Sequence, residues 1–90
     1  MSDTCGYALP RRLTAAAVCD FAAWLARHLD ATAVHVDATP TGSYVAALVN
    51  GVRIAANLGA GGEGIRVVID DTAVHVLRPG HPTVTTPRPS

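Results

Sequence analysis

The chain contains no lysine, one tryptophan, one phenylalanine and two cysteines, and only 16% of its 90 residues are charged. Each shortage excludes something. Without lysine, all fixed positive charge rests on Arg11, Arg12, Arg27, Arg53, Arg66, Arg78 and Arg88, which seven acidic residues balance to a net charge of zero. These arginines are scattered, so no basic stripe tracks a phosphate backbone, and nucleic acid is not the expected partner. Cys5 and Cys19 form no Cys-x-x-Cys pair and have no zinc-module spacing, which leaves neither a disulfide framework nor a structural metal to expect. No charged start with an apolar centre marks a signal peptide, and no apolar run approaches the roughly 18 residues that a membrane helix needs. The expected setting is therefore cytoplasmic and reducing, with free thiols and no membrane contact. Arginine for every cation, with abundant alanine and valine, is the composition expected of a GC-rich bacterial or phage gene.

What is present is apolar surface. Hydrophobic residues make up 49% of the chain. A chain this short buries only roughly 60–65% of the surface that its unfolded form exposes. So much apolar material with so little charge points to self-association.

Periodicity divides the chain into a flexible lead (1–10), a folded unit (11–78) and a proline-rich tail (79–90) expected to be disordered. Residues 78–90 hold four of the six prolines. Within the folded unit, Thr14 is a plausible N-cap for a helix reaching Leu29. At 100° per residue, Val18, Phe21, Ala22, Leu25 and Leu29 share one face. Trp24 and His28 flank that face on one side, and Cys19 and Ala26 on the other. The apolar arc is wider than one flat sheet needs. Either the sheet curls around the helix or a second subunit covers Trp24, with Trp24 and His28 the interface candidate.

After Asp30 the period falls to two. Ala33–Asp37 reads as a strand, followed by a turn at Thr39-Pro40-Thr41-Gly42. Tyr44–Val49 and Val52–Leu58 flank Asn50-Gly51, the pair that a type I′ hairpin turn requires. Gly64–Ile69 and Thr72–Leu77 flank Asp70-Asp71, a second hairpin. Two-residue turns set Val49 against Val52, Ala47 against Ile54, Val45 against Ala56, Val67 against Val74 and Ile65 against Val76. The expected fold is α+β, with one N-terminal helix packed on a twisted antiparallel sheet of about five strands.

The opposite sheet face carries the candidate functional residues. His35, Tyr44, Leu48, Arg53, Arg66 and His75 would lie together there, an apolar strip rimmed by arginine and histidine, as an interface or a shallow ligand surface would be. His35, Asp37 and His75 would form a metal site only if the first and last strands were neighbours. The segments Asp30–Val36 (DATAVHV) and Asp70–Val76 (DDTAVHV) agree at six of seven positions; two copies in different settings do not make a repeat architecture.

Catalysis is not expected. Cys5, Cys19 and Ser43 have no base at a suggestive spacing. Gly59 to Gly64 satisfies G-x-G-x-x-G, but a strand rather than a helix follows it, so it reads as a loop and not a nucleotide cradle. The expected function is a small non-enzymatic interaction or regulatory module that forms a homodimer through its sheet or helix flank and needs no cofactor. A second protein is the next partner to consider. The alternative is an anion or small-ligand domain in which Arg53, Arg66, His35 and His75 converge, since guanidinium forks suit carboxylates and phosphates.

Overall fold

Thr14 opens the helix, as its residue type suggests. Its extended backbone and its Oγ1, which accepts the Ala17 N–H at 3.1 Å, satisfy one of the donors that a helix start leaves unpaired. Helix α1 spans Ala15–Leu29 and ends where Asp30 turns left-handed at φ 51°. Arg27 and His28 sit in its last turn, where positive charge complements the helix dipole. The computed structural model describes residues 4–39, 42–61 and 63–89. The turn expected at Pro40 and Thr41 lies outside the described residues.

Two antiparallel sheets accompany the helix, and the fold is α+β. Strands β2 (Ala33–Thr39), β3 (Gly42–Val49) and β4 (Val52–Gly59) form one sheet in chain order. The other has the order β1-β5-β6-β7, from Cys5–Ala8, Arg66–Ile69, Ala73–Leu77 and Val84–Pro87. The inner faces of both sheets and the buried stripe of α1 share one core, centred on Phe21, Leu25, Leu29, Ile54, Leu58 and Ile69.

The β3–β4 hairpin has the register expected of it: Val49 faces Val52, Ala47 faces Ile54 and Val45 faces Ala56. Asn50 and Gly51 adopt φ of 49° and 79°, the two positive angles that a type I′ turn demands. The second hairpin is displaced by two residues, so that Ile69 faces Val74 and Val67 faces Val76. Asp70 causes the displacement. Its Oδ1 accepts the N–H groups of Thr72 and Ala73, at 2.8 and 2.7 Å, and the Thr72 hydroxyl at 2.8 Å. This side-chain turn moves the reversal beyond Asp70-Asp71. Because the displacement is even, every side chain keeps its face.

Three expectations are corrected. The single sheet of about five strands is two sheets, and a strand precedes the helix. The segment 1–10 contains β1, which pairs with β5; four residues carry too little periodicity to be read locally, and Tyr7 docks on the helix instead. The tail 79–90 contains β7, paired with β6 and continued by the Arg88 N–H donating to Thr72 O at 2.9 Å. Its prolines are compatible with an edge strand, where a missing N–H costs no ladder bond. No helix among the described residues is long and apolar enough to cross a membrane.

Candidate functional site

The outer face of the three-stranded sheet holds three cross-strand rows. Ala33, Leu48 and Arg53 form the first, His35, Ala46 and Ala55 the second, and Asp37, Tyr44 and Asn57 the third. The middle row is mostly alanine, which lets long neighbours lie down across it. The Arg53 guanidinium carbon reaches 5.1 Å from the centroid of the Tyr44 ring, a cation–π contact spanning that row. Leu48 stands 39% exposed beside it. Between Leu48, His35 and Arg53 runs a shallow groove of about 180 Å³, lined by Ala33 and Ala46 and reaching the chain at Val34 and Ala47. A second groove, of about 140 Å³, lies where Tyr44, Ala55 and Asn57 meet Val76, Arg78 and Val84.

The expected cluster is therefore divided. His35, Tyr44, Leu48 and Arg53 share the three-stranded sheet, whereas Arg66 and His75 belong to the other. Arg66 is exposed on β5, between Ala8 and Leu77. The four-residue convergence of Arg53, Arg66, His35 and His75 does not rest on one sheet, because strand order separates them. The metal triad of His35, Asp37 and His75 is not assembled either, and no group of three such ligands lies together among the described residues.

His75 is occupied instead. Its Nε2 lies 2.9 Å from Asp70 Oδ2, and its Nδ1 lies 3.0 Å from Thr85 Oγ1. With the proton on Nε2, the ring donates to the carboxylate and accepts from the hydroxyl. The hydrogen bond from His75, followed by those from Thr72 and Ala73, holds the Asp70 carboxyl well below the usual carboxylate range. Arg88 Nη1 donates to Asp70 O at 2.7 Å. A hydroxyl, an imidazole and a carboxylate in sequence have the connectivity of an activated nucleophile. Yet neither Thr85 nor His75 lines any of the described grooves, and Thr85 sits on an edge strand. The arrangement fastens β7 and the chain end to the β5–β6 turn. Reading the sequence missed it because nothing local places Thr85 opposite His75.

Trp24 is only 9% exposed. Its ring lies 5.1 Å from that of Tyr7 and 5.1 Å from that of His28, while Tyr7 also meets Phe21 at 5.3 Å. Tyr7 of β1 thus covers the Trp24 side of α1. Of the two interface candidates, Trp24 is buried within the chain and His28 is half-buried against its ring.

Among the nucleophile candidates, Ser43 is buried, Cys5 is half-buried against the core, and Cys19 is exposed and free. The glycine loop is structural. A Cβ on Gly59 (φ 66°) would come within 2.7 Å of Arg78 Nη2, and one on Gly64 (φ 76°) within 2.6 Å of Pro79 Cγ. The loop faces an open polar cleft of about 350 Å³ bounded by Arg11, Arg12, Leu13, Thr14 and Ala60. Arg11 leans there toward Glu63, at 3.5 Å and largely in water, a contact of small energetic value. Reading the arginines as scattered passed over this cleft, which the adjacent pair Arg11-Arg12 just before a helix cap marks in the sequence.

No family model matches the chain, and comparison with curated proteins and with solved structures finds no significant similarity.

Proposed function

We propose that the chain is a small non-enzymatic interaction module, of bacterial or phage type and acting in the cytoplasm, that self-associates through its three-stranded sheet. One observation carries this reading. Trp24 is covered by Tyr7 of β1, but the outer face of β2–β3–β4 combines an exposed Leu48 and alanines with a rim of Arg53, His35 and Tyr44. An apolar centre with a polar, arginine-bearing rim is the composition of protein contact surfaces. The lean surface charge of the chain agrees with it. Light scattering after size exclusion, at several protein concentrations, tests the reading. A dimer that persists on dilution supports it, and a monomer at every concentration overturns it.

A second reading takes the same groove as an anion site, because Arg53 and His35 flank it and neither has a carboxylate partner among the described residues. It requires an acidic metabolite to raise Tm, and Arg53→Ala to abolish the rise. A panel of carboxylates and phosphates without any shift would remove it.

A further inference from the structure

We infer that the second copy joins along β2, antiparallel to its own counterpart about a two-fold axis beside Val36, so that two three-stranded sheets become one of six strands. The inference rests on the self-association reading above and places its contact at the edge of that same sheet, beside the outer face. Among the described residues, β2 has β3 on one side and no strand on the other. An edge of seven residues offers a row of backbone donors and acceptors to any matching strand. Two of the usual protections are absent from it: neither lysine nor proline lies within Ala33–Thr39.

The register follows from charge. For both helix-covered faces to lie on the same side of the joined sheet, residues facing each other across the axis must both be odd or both even. Pairing centred on His35 sets imidazole against imidazole, and pairing centred on Asp37 sets carboxylate against carboxylate. Pairing centred on Val36 uses all seven positions. It places His35 opposite the partner subunit's Asp37, and Asp37 opposite the partner subunit's His35, a favourable cross-strand pair made twice. Both residues are exposed, and neither has a side-chain hydrogen bond or ion pair among the described residues. The matching histidine, His75, shows what this side chain does when a carboxylate is near: it binds Asp70 at 2.9 Å. Val34 and Val36 are only half-buried at the rim of the core, and a neighbouring strand would complete their cover.

The test uses light scattering of the full chain and two charge variants, with circular dichroism confirming that each is folded. His35→Asp sets carboxylates face to face at both contacts, and Asp37→Arg removes both acceptors. Each variant alone is expected to dimerise roughly tenfold or more weakly than the native chain. An equimolar mixture of the two is expected to recover the dimer, because one contact then joins carboxylate to guanidinium and the other keeps His35 with Asp37. Leu48→Arg, on the outer face beside the edge, is expected to weaken the dimer less than either charge variant does. If both charge variants dimerise like the native chain, or if the mixture fails to recover, the edge register is wrong. If only Leu48→Arg produces monomers, self-association stands but runs through the outer face. A native chain that is monomeric throughout overturns both the contact and the reading beneath it.

Discussion

The heptads Asp30–Val36 and Asp70–Val76 differ at one position, and the fold uses them in opposite ways. Asp30 acts through its backbone, ending α1 in the left-handed region. Asp70 acts through its carboxylate, which shapes a turn and holds a histidine. His75 stands between two strands, with a partner at each ring nitrogen; His35 stands on an edge with none among the described residues. Val74 is 2% exposed, whereas Val34 is half-buried. Both segments become strand at the same point, Ala33 and Ala73, so propensity and pattern decided secondary structure equally in each. What lies on either side of the strand decided the rest: β6 is interior to its sheet and β2 is terminal.

Matched substitutions can break or sharpen this contrast. The largest difference is expected from Val→Ala made in each copy. At Val74 it should cost about 2 kcal/mol, since a buried side chain loses its transfer energy and leaves a cavity; at Val34 it should cost about 1 kcal/mol or less. Urea unfolding of both variants measures the two values, and equal losses would mean that β2 is as enclosed as β6.

Asp70→Ala comes next. It should lower Tm more than Asp30→Ala does, because it strips the β5–β6 turn of its acceptor and His75 of its partner. It also has a signature in acid. The Asp70 carboxyl titrates lower in the folded chain than in the unfolded one, so its contribution is fully present above about pH 4 and is lost as pH falls below it. The native chain should lose stability steeply in that range, and the variant should show a shallower slope.

Thr85→Val removes the hydroxyl from His75 Nδ1 and should cost about 0.5–1.5 kcal/mol. Faster proteolytic trimming of the C-terminal segment is expected with it; unchanged trimming would mean that strand pairing alone secures β7. The smallest effect has the opposite sign. Asp30→Gly relieves a left-handed residue with a side chain and should stabilise the chain by about 0.5–1 kcal/mol, whereas glycine at Asp70 should destabilise it.

How much of this was legible depends on how local the cause was. Thr14, Asn50 and Gly51 act within a few residues, so the helix start and the first hairpin, including its register, could be read from them. The side-chain turn of Asp70 is almost as local, but Asp70-Asp71 looks like an ordinary two-residue turn, and only the hydrogen bonds reveal the displacement. Strands β1 and β7 were hidden because their order comes from distant partners: Tyr7 from Phe21 and Trp24, Thr85 from His75, and Arg88 from Asp70 and Thr72. The candidate face was half legible for the same reason. Alternation along β3 and β4 placed Tyr44, Leu48 and Arg53 on one side, while the division of His35 from His75 between two sheets is a matter of strand order, which no local pattern encodes.

Trp24 is the only tryptophan in the chain, and Tyr7 is one of two tyrosines. Because the two rings lie 5.1 Å apart, the chain carries its own optical gauge of where the first strand is. Light absorbed by Tyr7 should emerge from Trp24 while β1 is docked. Release of β1 would shift the indole emission to longer wavelength before the rest of the molecule melts. A fluorescence trace laid over a circular dichroism trace would then separate the seating of one strand from the unfolding of the whole, without any label.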